Sequence, residues 1–240
     1  MKTFQNTSIL TALICLIWAL TLGNVHAQGL IEFNIIKDLS ASSNSADAYQ
    51  SELLLKKVMT DLDLRNFDGE VILRTASLGH HKIPVVQSVR LPSSDWMTPA
   101  SEKRRNLSTF LAVAKRNIEA LGKMPADQDE TQSFRTLSYL GNQRSKDAKS
   151  ITYCFTDAVE CSDLANFKAI AAADPKKLME QYDQITRQLL SDTQLPSLDG
   201  CKYIFITPGR TDLHLFSIRY FTKLLESFGA EVEVHTSLNF

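Results

Sequence analysis

Short β-rich runs alternate with amphipathic helical stretches along almost the whole of this 240-residue chain. Residues 31–36, 70–76, 83–91, 151–155, 201–206 and 230–235 carry the Ile, Val, Phe and Tyr content of strands. Residues 47–64, 102–121, 131–140, 163–173, 175–190 and 213–228 read as helices. In the second of these, Leu107, Leu111, Ala114 and Ile118 form one apolar stripe at helical spacing. Strands separated by helices need a crossover to meet, so they pair in parallel and bury both sheet faces. The exception comes early. A tight turn at Gly79-His80-His81 predicts that the second and third strands pair as an antiparallel hairpin, and Pro84 assigns the third to an edge because proline lacks a ladder donor. The expected fold class is α/β: a three-layer α/β/α domain with a mainly parallel central sheet and one antiparallel edge strand.

With 44% apolar and 22% charged residues, the chain can bury one sizeable core. A formal net charge of −1 supplies no basic field for nucleic acid. The start is different. Lys2 precedes an apolar run over residues 9–22, and Val25-His26-Ala27 offers small residues where a signal peptidase reads. This predicts a signal peptide over 1–27, cut before Gln28, and a secreted or periplasmic domain over 28–240 with no membrane span after cleavage; an uncleaved membrane anchor is the alternative, disfavoured because the apolar run is short for a span. Three cysteines then remain, Cys154, Cys161 and Cys201. In an oxidising compartment a Cys154–Cys161 bridge is the favoured pairing, with three buried thiols as the alternative.

The stretch after the first strand carries the chemistry. Asp38-Leu39-Ser40-Ala41-Ser42 places one carboxylate and two hydroxyls on alternate residues at the carboxyl edge of the sheet, where open α/β folds bind ligands. All three are hard oxygen donors, suited to Mg²⁺, Mn²⁺ or Ca²⁺. The same residues would serve equally to shape the turn and cap the following helix.

Together with two later segments, this loop resembles the von Willebrand factor type A (vWA) family over nearly all of residues 31–235. Asp38-Leu39-Ser40-Ala41-Ser42 is similar to that family's metal-ion-dependent adhesion site (MIDAS) loop. Residues 131–140, beginning Thr131-Gln132-Ser133, resemble the segment that supplies a threonine ligand before a helix, and Phe155-Thr156-Asp157 resembles the strand end bearing the last aspartate. The resemblance implies a vWA/Rossmann-like sheet and a metal site of Asp38, Ser40, Ser42, Thr131 and Asp157. Ser40, Ser42 and Thr131 would bind directly, and Asp38 and Asp157 directly or through water. Ser133 or Thr136 stands as an alternative hydroxyl to Thr131. Hydroxyl ligands leave a divalent cation under-neutralised, so that a partner's acidic side chain can complete its shell. The sequence departs from the family where Ala41, Gln132 and Ala158 stand in place of its usual glycine, aspartate and glycine. Many members also continue into a further helix that reports ligand binding. This sequence stops five residues after His235, so no such switch is expected.

Other chemistry finds less support. No Gly-x-Ser-x-Gly elbow and no Walker-type loop occurs. His80-His81 lacks further ligand spacing, and His214 and His235 read as core or surface residues. Arg210, in the turn after the fifth strand, could meet an acidic group. Asp38 and Asp157 would suit an acid/base pair, but no nucleophile accompanies them. The expectation is therefore a protein-binding module, not an enzyme, serving adhesion or assembly of an envelope or surface complex with a divalent cation as cofactor. A metal-free structural scaffold with a degenerate site is the alternative, and a hydrolase a distant third.

Overall fold

The first strand, β1 (Ile31–Asp38), lies inside a six-stranded sheet with the order β3-β2-β1-β4-β5-β6. The computed structural model describes residues 29–41, 48–64, 66–79, 84–126, 128–207 and 211–239. The expected signal peptide, Ser42, His80, His81 and Arg210 lie outside them. Strands β2 (Val71–Leu78) and β4 (Lys149–Phe155) flank β1 in parallel, and β5 (Cys201–Ile206) and β6 (Glu231–His235) extend the sheet in parallel. Among the described strands only β3 (Val86–Leu91) runs antiparallel, paired with β2 at the edge. The antiparallel pairing of the second and third strands, with the third at the edge, is the one expected; residues 80–83 between them lie outside the described residues.

Side-chain alternation along β1 separates two cores. Phe33 and Ile35 face one layer, where helices α1 (Ser51–Asp61) and α2 (Ala100–Lys123) bury Leu54, Val58, Phe110, Ala114 and Ile118. Ile36, one residue out of phase, joins Cys154 and Phe205 on the other face. There they pack with α3 (Ser133–Asn142), α6 (Tyr182–Asp192) and α7 (Asp212–Ser227). The result is the expected three-layer α/β/α arrangement. At the end of α7, Gly229 takes φ +97, and Gly229 and Ala230 donate their amides back to Glu226 and Leu225. That left-handed turn is a glycine cap of the helix.

Three local expectations are corrected. The helix expected over 163–173 is a single turn, α4 (Phe167–Ile170), because Ser162 Oγ accepts the Leu164 and Ala165 amides in a polar turn. The helix expected over 175–190 breaks at Gln181 into α5 (Lys177–Glu180) and α6. The favoured Cys154–Cys161 bridge is absent: Cys154, Cys161 and Cys201 are free and buried. Cys154 is held in register opposite Ile36 and Phe205, while the Cys161 backbone is paired with Thr131.

Candidate metal centre at the rim of the sheet

Strands β1 and β4 are neighbours, yet the chain leaves them in opposite directions: toward β2 and β3 after β1, toward β5 and β6 after β4. Their carboxyl ends therefore frame the crevice where doubly wound sheets take ligands. Lys37 stands opposite Phe155, so Asp38 and Thr156 emerge side by side. Asp38 is fully buried. Its Oδ1 accepts the Ser40 amide at 2.8 Å, and its Oδ2 accepts the Thr156 hydroxyl at 2.6 Å. Asp157, 2% exposed, accepts the Val159 amide on Oδ1 at 3.0 Å. Between those residues the chain turns through Ala158 with φ 57, a left-handed conformation at a buried non-glycine residue.

Thr131 reaches the same rim by another route. Gln128 exchanges backbone hydrogen bonds with the β1 loop, donating to Leu39 O at 3.0 Å and accepting from Ala41 N at 2.9 Å. Three residues later Thr131 forms an antiparallel bridge with Cys161, just beyond Asp157. These strand-like contacts, with the Gln132 amide donating to Gly79 O, hold Thr131 and Gln132 out of the helix expected to begin at 131. Helix α3 starts at Ser133 instead. Its first turn is satisfied by Glu160, whose Oε2 accepts the Phe134 amide at 2.9 Å.

The electrostatics mark this rim. Burial pushes the Asp38 carboxyl up to about 7, and the nearby Asp157 carboxylate adds to the rise. Hydrogen bonds from Thr156 and Ser40 act the other way. Burial likewise raises Glu160 to about 7. Several buried oxygens here have no hydrogen-bond partner: Ser40 Oγ, Asp157 Oδ2, Ser133 Oγ and Glu160 Oε1. Such orphans are uncommon and costly in a folded interior. His214, on the first turn of α7, has Nε2 3.6 Å from Asp157 Oδ2. Its own Nδ1 is buried and unbonded.

Of the expected ligands, Asp38, Ser40 and Asp157 meet at one crevice, Thr131 joins the segment tied to both sides of it, and Ser42 lies outside the described residues. Ser133 and Thr136 are buried within α3. Among the described residues no three His, Cys, Asp or Glu side chains gather as a metal-binding group. Any ion here would thus depend on hydroxyl oxygens, and the donor set does fit: Ser40 Oγ and Asp157 Oδ2 are hard donors with no hydrogen-bond partner. Three residues at the rim escaped sequence reading. Thr156 was seen only as part of a strand end, Glu160 had no visible pattern, and His214 stood alone. Beside Thr131 an open cleft is lined by Asp129, Glu130 and Asp163 on one hand and Lys168 on the other.

No protein-family model matches the sequence, and no curated protein is significantly similar to it. Solved structures do align. A von Willebrand factor type A structure from Catenulispora acidiphila aligns over 88% of this chain and 39% of its own, at 14% identity and a TM-score of 0.38. The human COPII-coat protein Sec24c aligns over 87% of this chain and 30% of its own, at 12% identity and a TM-score of 0.41. Proximal thread matrix protein 1 from the mussel byssus aligns over 87% of this chain and 44% of its own, at 13% identity and a TM-score of 0.40. The chain thus spans less than half the length of each.

Proposed function

We propose that this protein is a vWA-like binding module that holds a divalent cation at the β1–β4 crevice and uses it to take a carboxylate from a protein partner. The observation that carries the reading is the pair of buried, unpartnered oxygens, Ser40 Oγ and Asp157 Oδ2, at the crevice. A cation bound there would satisfy both and would favour the ionised form of Asp38, which burial otherwise disfavours. Ser40, Asp157 and Thr131 would hold the ion, with Asp38 fixing Ser40 through its amide. Mg²⁺, Mn²⁺ and Ca²⁺ fit the oxygen set. The acidic cleft beside Thr131 favours a partner whose carboxylate is flanked by basic residues. The role is binding, in adhesion or assembly of a surface complex, rather than catalysis.

The secretory reading of residues 1–27 places this work outside the cytoplasm. Among the described residues no helix is long and apolar enough to cross a membrane. N-terminal sequencing of the protein from the extracytoplasmic fraction should begin at Gln28.

The test of the metal site is thermal unfolding with and without a millimolar divalent cation. The melting temperature should rise with the cation and fall back with chelator, and Asp157→Asn should abolish the rise. A wild-type melting curve that ignores every cation sinks the metal reading. It would favour the metal-free scaffold, for which the internal bonds from Ser40 and Thr156 to Asp38 already provide.

A further inference from the structure

His214 is absent from the ligand set that the sequence pattern suggests, yet it occupies the crevice. Its Nε2 lies 3.6 Å from Asp157 Oδ2. That is beyond an N–H···O hydrogen bond, which spans about 2.7–3.2 Å. It is the spacing of an ion pair when the ring is protonated, and equally one that two ligands of a single ion adopt. Donors about 2.1 Å from a common metal and 3.6 Å apart subtend roughly 120° at it. The carboxylate oxygen concerned is buried and makes no hydrogen bond, because the Val159 amide is taken by the other oxygen. The other ring nitrogen, Nδ1, is buried without a hydrogen-bond partner, so no hydrogen bond turns Nε2 away from the crevice. The Thr211 side chain caps α7 by accepting the His214 amide, which sets the ring's backbone at the crevice.

We propose that His214 supplies a nitrogen ligand to the cation held by Ser40 and Asp157, so that the site takes Mn²⁺, Co²⁺ or Zn²⁺ in preference to Mg²⁺ or Ca²⁺. Imidazole binds first-row transition ions well, whereas magnesium and calcium take oxygen ligands. One histidine in an otherwise hydroxyl and carboxylate set therefore shifts the preference toward the transition series. This rests on the cation site proposed above and adds to it the identity of the ion.

The experiment uses Mn²⁺ as the probe. Mn²⁺ is added to the purified full chain, and its electron spin-echo envelope modulation is recorded for the wild type and for His214→Gln. The wild type should show ¹⁴N modulation from a coordinated imidazole, and His214→Gln should bind Mn²⁺ without it. Calorimetry should find Mn²⁺ affinity lowered at least about 10-fold in the variant, with Mg²⁺ affinity little changed. Bound Mn²⁺ without nitrogen modulation, or modulation that persists in His214→Gln, overturns this inference and leaves the cation site standing. Failure of Mn²⁺ to bind the wild type overturns both.

Discussion

The Thr156 hydroxyl donates to Asp38 Oδ2 at 2.6 Å across the β1–β4 junction, and the Thr156 hydroxyl oxygen in turn accepts the Ala158 amide at 2.9 Å. One side chain thus orients the carboxylate at the end of β1 and shapes the turn that presents Asp157. Thr156→Val removes both bonds and leaves a buried amide unpaired. A loss of about 1–3 kcal/mol in urea unfolding is expected. The Asp38 carboxyl should move further above its already raised value, since the lost bond is one that lowers it. Thr156→Ser should restore both properties.

Stability should depend on pH in a sense opposite to that of most carboxylates. Asp38 and Glu160 titrate near 7 in the fold, against ordinary values of 3.8 and 4.5. Between those limits the folded state holds protons that the unfolded chain has released. Stability in the presence of chelator is therefore expected to fall as pH rises from about 4 to about 7 and to level off above. Glu160→Gln should flatten that slope. A divalent cation beside Asp38 disfavours its protonation, so the cation's stabilisation should be greatest above pH 7 and fade on acidification. Urea midpoints across that range, with and without the ion, measure both effects.

Ala158 sits where the left-handed turn asks for glycine. For an L-residue that conformation costs roughly 1–2 kcal/mol. Replacing it by glycine relieves the strain but adds about 0.4–1 kcal/mol of unfolded-state entropy and removes a buried methyl worth about 0.8 kcal/mol. Ala158→Gly should therefore leave the melting temperature nearly unchanged. Ala158→Val should lower it sharply, because a β-branched side chain fits neither the backbone angle nor the closed space around this fully buried residue. Equal melting of the valine variant and the wild type would contradict the strain.

Lys37, one residue before Asp38, is buried at 1% exposure. Its Nζ donates to the carbonyls of Gly122 at 2.9 Å and Met124 at 2.8 Å, and more weakly to that of Leu121. The charge therefore compensates the negative end of α2. The Tyr49 ring lies 5.7 Å away. Lys37→Met keeps the stem's volume but leaves these carbonyls unpaired. It should cost on the order of 2–3 kcal/mol, measurable by urea unfolding, without removing the cation's stabilising effect.

The order of elements was legible because it is written locally. Phe33, Ile35 and Ile36 mark a strand by alternation and composition, and the stripe of Leu107, Leu111, Ala114 and Ile118 marks a helix by period. Pro84 announced the edge. The misread stretches were those where a tertiary partner outweighed local preference. Thr131 reads as a helix start but is drawn into a bridge with Cys161. The run at 163–173 reads as a helix but begins in a turn held by Ser162. Gly229 sits where its backbone angle requires it, because only glycine takes that angle without cost.

By itself the sequence determined the order of the strands and of the longer helices, and that Asp38 and Asp157 lie at the ends of strands. Side-chain periodicity and turn chemistry act over a few residues, so they survive in the linear order. Only the tertiary structure decided that β1 lies against β4, which brings Thr156 to Asp38, and that β5 lies on the other side of β4, so that the helix following it brings His214 to Asp157. Strand pairing joins residues more than a hundred positions apart. The burial that lifts Asp38 is likewise supplied by the whole layered fold, and no stretch of chain carries either in its local pattern.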